Sequence, residues 1–225
     1  MNRRIFVVIA AYNESRAIAP VVARVRAKYP HVVVVDDGST DATTECLQSS
    51  GAHLLRHRIN RGQGAALQTG IRFALMQGAD VIVTFDADGQ HDEADIDVMA
   101  APILRGECDV TLGSRFLGSV GNMPFTRRIV LKLAVAFTRV ISNIRVTDAH
   151  NGFRAFSRDA AAGLRITMDR MAHASEILDE IRRNNWRFQE IPVRISYSAY
   201  SLAKGQSSWN ALRIGSEMLF RKITM

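Results

Sequence analysis

Cysteine is nearly absent from this chain of 225 residues. Cys46 and Cys108 stand far apart and form no Cys-x-x-Cys pair. That excludes a disulfide framework and a thiolate zinc site and fits a reducing compartment. Both thiols read as small buried apolar residues. No run of about 18 consecutive apolar residues occurs, so the sequence shows no bilayer-spanning helix. The apolar start, Ile5 to Ala11, follows two arginines as a signal peptide would. Tyr12-Asn13-Glu14 ends it at once, and a buried first strand fits better. Basic residues outnumber acidic ones 29 to 22, for a net charge of +7, yet they form no consecutive block and no aromatic-rich RNA-binding signature. Nucleic acid is thereby set aside. Anionic lipid head groups and phosphorylated substrates suit the charge. No linker, repeat or low-complexity segment appears, so residues 1–225 are expected to form a single domain. The 47% hydrophobic content supports a full core.

Apolar runs alternate with helical stretches. Strands are expected at Ile5 to Ala10, His31 to Val35, His53 to Arg56, Val81 to Phe85 and Asp109 to Gly113. Helices are expected at Ser15 to Lys28 with Ser15 as N-cap, at Thr40 to Ser50 closed by Gly51, and at Gly64 to Met76 capped by Gly78. This alternation predicts an α/β fold with a doubly wound, mostly parallel sheet flanked by helices. Ligands of such sheets sit beyond the carboxyl ends of the strands, where the polar motifs of this chain fall. After Gly121 the pattern changes. Amphipathic helices are expected at Arg127 to Asn143, Asp169 to Arg183 and Trp209 to Ile223, with a strand at Gln189 to Tyr197.

The segment Asp86-Ala-Asp88-Gly-Gln90-His91 follows the strand Val81 to Phe85 directly. Two carboxylates at a strand end can share one Mg²⁺ or Mn²⁺, which keeps coordination positions open for substrate phosphates. A cation there neutralises charge on a departing diphosphate, as in a nucleotide-sugar. The same residues also make an ordinary Asp/Gly turn. Asp36-Asp37-Gly-Ser-Thr-Asp41 ends a second strand, where it serves either as turn and cap or as acceptor for a nucleobase or ribose. Tyr12-Asn13-Glu14 closes the first strand. Asn60-Arg-Gly-Gln63-Gly-Ala65 is a glycine-containing loop opening a helix, a weak signal alone.

Taken in order and spacing, these motifs resemble the family 2 inverting glycosyltransferases of GT-A fold, and within them the dolichol- and polyprenyl-phosphate sugar synthases. Gly113-Ser-Arg115 and Thr147-Asp-Ala-His-Asn-Gly-Phe-Arg154 extend the resemblance, which covers nearly the whole chain. It implies that Tyr12, Glu14 and Asp37 hold the nucleoside. Asp86, which also lies on the nucleotide side, would join Asp88 and Gln90 around the metal and diphosphate. Arg115 and Arg154 would contact phosphates or sugar. Asp88 and Glu176 would be the catalytic carboxylates, with Glu176 near the family's base. This chain departs from the pattern at Ala11, where the family usually has Pro, and at Gln63, where it often has Lys.

An acceptor hydroxyl needs a base. A lipid phosphate, largely ionised at neutral pH, needs cations instead, for which Arg115, Arg128, Arg154 and Lys204 are candidates. Glu176 has a second reading as a polar helix residue, and Arg127 and Arg128 have one as a solvated face. The C-terminal helices either pack on the sheet or lie in an anionic membrane surface. The expected function is metal-dependent transfer of a sugar from a nucleotide-sugar donor to a polyprenyl phosphate. The alternatives are transfer to a saccharide hydroxyl in surface-glycan assembly and a non-catalytic nucleotide-sugar-binding regulatory subunit. The expected place is the cytoplasm, peripheral at the inner face of the membrane, with a small membrane protein as a further partner.

Overall fold

The computed structural model describes residues 3–121, 144–168 and 173–197, together with Ile129, Leu131, Val135 and Arg139. The expected alternation is present. Strand β1 (Ile5–Ala11) leads to α1 (Ile18–Lys28), β2 (His31–Asp36), β3 (His53–Arg56), α2 (Gln63–Met76), β4 (Val81–Asp86) and α3 (Asp95–Leu104). Then come β5 (Val110–Gly121), β6 (Arg154–Ser157), α4 (Arg158–Gly163), α5 (His173–Arg183) and β7 (Phe188–Ser196). The strands form one seven-stranded sheet in the order β3-β2-β1-β4-β6-β5-β7. β3, β2, β1 and β4 run parallel, and β6 is antiparallel to both of its neighbours.

Parallel strands covered on both faces carry near-continuous apolar runs, and Val32 to Val35 of β2 are fully buried. One face of the sheet packs on α1 and α3 through Ile18, Val22, Ile96 and Met99. The other packs on α2, α4 and α5 through Leu67, Ile71, Ala160 and Ile177. α1 buries Ile18, Val21, Val22 and Val25, the i, i+3, i+4, i+7 stripe of a core-facing helix. Gly78, at φ +79°, takes the left-handed turn that closes α2.

Three expectations need correction. Thr40 to Ser50 holds only one 3-10 turn, Glu45–Leu47, in place of a helix. Its polar side chains engage backbone groups: Asp41 Oδ1 accepts from the N–H of Thr43 at 3.0 Å, and Ser50 Oγ donates to the Leu47 carbonyl at 2.7 Å. Such local bonds compete with a helix. Ser15 does not cap α1, which starts at Ile18 with Ala17 before it; the Ser15 N–H instead donates to Asp41 Oδ2 at 3.2 Å. β5 runs well past Gly113, with a register irregularity against β7 between Ser114 and Ser119. α3, β6 and α4 were not anticipated. The helix over Arg127 to Asn143 is described only at Ile129, Leu131, Val135 and Arg139, all helical. The start of the Asp169 helix and all of Trp209 to Ile223 lie outside the described residues. Among the described residues no helix is long and apolar enough to cross a membrane.

Candidate active site

Strand register gathers the motifs at one edge of the sheet. Ala10 lies beside Asp86, and Ala11 beside Asp36. The loops that follow interlock: the Asn13 N–H donates to Ser39 Oγ at 2.9 Å, and Asn13 Oδ1 accepts from the Thr40 N–H at 2.9 Å. Asn13 adopts φ +53° to do so, a region that Asn tolerates better than most residues. Tyr12 is left 42% exposed at the rim.

Asp86 is held on several sides. Its Oδ2 meets His91 Nε2 at 2.8 Å, and its Oδ1 accepts from Gln63 Nε2 at 3.2 Å. A Cβ on Gly152 would sit 2.5 Å and 2.7 Å from its two oxygens, so only glycine allows this approach. Burial works against the Asp86 carboxylate, but His91, with the more distant His173 and Arg115, holds its pKa below the ordinary value. Asp88 behaves oppositely. Burial and the charge of Asp86, with a smaller push from Glu14, raise it to about 6. Gln90 donates to it twice, from its N–H to Oδ1 at 3.0 Å and from Nε2 to Oδ2 at 2.6 Å.

Asp86 and Asp88 suit a hard divalent cation. They offer oxygen donors of like charge, one pushed toward neutrality by burial and by the charge of the other. Among the described residues no group of three or more His, Cys, Asp or Glu is placed to hold a metal alone. Mg²⁺ is commonly held by one or two carboxylates and the substrate's phosphates, so two suffice. The Gln90 amide points its nitrogen at Asp88, leaving its oxygen as a further donor.

The remaining expected residues are placed as follows. Asp37 is 2% exposed and organises the neighbouring loop. It accepts from the N–H groups of Arg61 at 3.0 Å and Gly62 at 2.6 Å and pairs with His57 Nδ1 at 2.7 Å. Arg115 and Arg154 were expected on phosphate; both guanidinium groups are buried, that of Arg115 engaged with protein and that of Arg154 partly so, its Nη1 having no hydrogen-bond partner among the described residues. Arg115 Nε donates to Asp148 Oδ2 at 2.6 Å and its Nη1 to Tyr197 Oη at 2.8 Å. Arg154 donates to the carbonyls of Ala149, Asn151 and Ala174. Burial lowers its pKa to about 10, against the opposing charges of Asp148 and Asp86. Arg154 also lines a small cavity of about 60 Å³ with Gln63, Thr84, Asp86, Gly152 and His173. Glu176, 7% exposed, accepts from the N–H groups of Thr167 at 3.0 Å and Met168 at 2.8 Å and from Thr167 Oγ1 at 2.5 Å. Arg128 and Lys204 lie outside the described residues.

Sequence reasoning missed His57, Gly152 and Glu190. Glu190 Oε1 on β7 accepts from the N–H groups of Thr147 and Asp148 at 2.7 and 3.2 Å and fixes the loop that carries Asp148. No local pattern pairs residues so far apart in the chain. For Gly152 a signal existed, the glycine inside His-Asn-Gly-Phe-Arg, a residue type that marks close backbone approach.

A mostly parallel sheet with paired carboxylates at the end of β4 is the architecture of the GT-A fold. Glucosyl-3-phosphoglycerate synthase of Mycobacterium tuberculosis, solved with Mg²⁺ and uridine diphosphate, has the same fold: TM-score 0.71 at 20% identity, covering 96% of this chain and 79% of that one. The chain belongs to glycosyl transferase family 2, whose profile matches residues 6–165. It is similar to the UDP-N-acetylglucosamine–dolichyl-phosphate N-acetylglucosaminyltransferase of Methanococcus voltae, at 31% identity covering 99% of this chain and 97% of the relative. It is also similar to the polyprenol monophosphomannose synthase of Mycolicibacterium smegmatis, at 28% identity covering 94% and 84%.

Proposed function

We propose that this glycosyltransferase moves a sugar from a nucleotide-sugar to a polyprenyl phosphate with inversion, using Mg²⁺ or Mn²⁺ at Asp86 and Asp88. The bond from the anomeric carbon to the nucleoside diphosphate breaks as an acceptor phosphate oxygen bonds to that carbon from the opposite face. The cation, when bound, neutralises charge on the leaving diphosphate. Asp86 and Asp88 would hold it, with the Gln90 side-chain oxygen available as a further donor. Glu14 and the Asp37-braced loop from Asn60 to Gly62 border the nucleoside, with Tyr12 at its rim. Arg115 and Arg154 act through the loop from Thr147 to Arg154 that they brace.

The observation that carries the choice of acceptor is the state of Glu176. The carboxylate expected as base is nearly buried and accepts three hydrogen bonds from Thr167 and Met168. An ionised phosphate is already a nucleophile and needs no base. The end-to-end similarity to the Methanococcus voltae enzyme, which acts on dolichyl phosphate, supports the same reading. Such an acceptor would bring the enzyme to the inner face of the membrane. The deciding experiment offers radiolabelled nucleotide-sugars with Mn²⁺ to the protein with either polyprenyl phosphate or an oligosaccharide. Label is expected in the organic-extractable lipid. Label only in the oligosaccharide overturns the proposal in favour of a hydroxyl acceptor.

A further inference from the structure

The imidazole of His91 is 4% exposed and packs among aromatic rings, with centroids 5.4 Å from Phe85 and 4.9 Å from Phe153. Those two rings also meet edge to face at 5.3 Å. The slot is apolar, and a leucine or phenylalanine side chain would fill it without a desolvated nitrogen. Among the described residues His91 Nδ1 is buried there with no hydrogen-bond partner, a cost that apolar packing alone does not require. The polar contact that the ring makes is Nε2 to Asp86 Oδ2, at 2.8 Å. An Asp86 carboxylate can only accept, so Nε2 carries a proton and donates.

The backbone fixes where this donor stands. His91 makes an isolated antiparallel bridge with Ile195 of β7, and the Gln90 carbonyl accepts from the Ser196 N–H at 3.0 Å. On its other side Asp86 meets the Gln63 amide and the bare Cα of Gly152. The carboxylate is therefore aimed before any cation arrives.

We propose that His91 is a positioning residue for Asp86: by holding Oδ2 it fixes the orientation of the carboxylate that, with Asp88, would take the cation. This inference rests on the metal reading given above. Groups that hydrogen-bond metal ligands typically contribute 10–100-fold in metal affinity.

The test measures Mn²⁺ binding by paramagnetic resonance of the free ion, in the presence of UDP and separately of GDP. It compares wild type, His91→Gln, His91→Leu and Phe153→Leu. Glutamine keeps a side-chain N–H donor, leucine keeps only bulk, and Phe153→Leu loosens the same slot without touching the hydrogen bond. Expected are a loss of about 10–100-fold in Mn²⁺ affinity for His91→Leu, recovery to within about threefold of wild type for His91→Gln, and near wild-type affinity for Phe153→Leu. Thermal unfolding without metal, run on all four, separates packing from positioning. Wild-type affinity in His91→Leu overturns the proposal, as do an equal loss in Phe153→Leu or no recovery in His91→Gln. Should the wild type itself bind no Mn²⁺ with either nucleotide, the metal reading falls and takes this inference with it.

Discussion

Arg115 and Asp148 form a buried ion pair: one oxygen, Oδ2, takes both the backbone N–H of Arg115, at 3.1 Å, and its Nε, at 2.6 Å. The side chains are 8% and 1% exposed. Removing one partner from such a pair strands the other charge and typically costs about 3–5 kcal/mol. Arg115→Met is therefore expected to lower stability in urea unfolding by that order, while Arg115→Met with Asp148→Asn recovers part of it. A stable Arg115→Met protein with weakened donor binding would restore Arg115 to direct phosphate contact.

Asp88→Asn is expected to abolish transfer and to remove the stabilisation that Mn²⁺ and a nucleoside diphosphate give together. A ligand bound to the folded state raises apparent stability by mass action. Thermal shift with Mn²⁺, with chelator and in the mutant measures it. Full activity in chelator rules out the metal mechanism.

Asp37→Ala removes the acceptor for the Arg61 and Gly62 N–H groups and the partner of His57. Hydrogen bonds to a charged group contribute about 1.5–3 kcal/mol. Both the unfolding free energy and nucleotide affinity should fall, because the loop from Asn60 to Gly62 loses its brace. Calorimetry showing weaker nucleotide binding in a protein of unchanged stability would mean that Asp37 contacts the nucleoside itself.

Glu176→Gln keeps one acceptor oxygen for the Thr167 and Met168 N–H groups, which share Oε2, and turns an NH₂ toward the Thr167 hydroxyl, which can accept. The fold should hold, and with a lipid-phosphate acceptor kcat should fall less than about tenfold. Loss of a true general base costs about 10²–10⁴ in rate. A fall of that size in a folded protein would reinstate Glu176 as the base and point to a hydroxyl acceptor.

Acid should act through Asp41. Burial alone would raise its pKa, but hydrogen bonds from Thr43 and Ser15 outweigh it and hold the value at about 2. A carboxyl depressed in the folded state gives stability that is full above its unfolded pKa, about 3.9, and is lost as pH falls toward the folded value. Urea midpoints between about pH 4 and pH 2 should therefore decline less steeply in Asp41→Asn than in wild type. Equal slopes would show that Asp41 carries none of this dependence.

The parallel half of the sheet was legible in the sequence because buried parallel strands leave unbroken β-branched runs, as in Val32 to Val35. The carboxylate motifs were legible for a related reason: they stand where those runs stop. β6 was hidden because it is four residues long and passes straight into a helix. α3 was obscured by Pro102, which reads as a helix breaker yet sits in the final turn. Thr40 to Ser50 has helical spacing, but its side chains satisfy the backbone first. Within the site, which residues gather was readable; what each carboxylate and guanidinium touches was not. Asp37 with Gly62, Glu176 with Met168 and Arg115 with Tyr197 are products of tertiary packing between distant segments.

The antiparallel insertion of β6 between β4 and β5 has a consequence for the order of events during synthesis. β1 to β4 are complete once Asp86 has been made; β1, β2 and β3 pair with neighbours in sequence, and β4 docks on β1. The free edge of β4, which ends in the key carboxylate, has no partner until Arg154 to Ser157 emerge. At translation rates of about 5–20 residues per second, that edge stands open for several seconds at least. An open apolar strand edge invites wrong pairing. The time when this chain most needs a chaperone is thus written into its strand order, and it closes with the same short strand that brings Gly152 against Asp86.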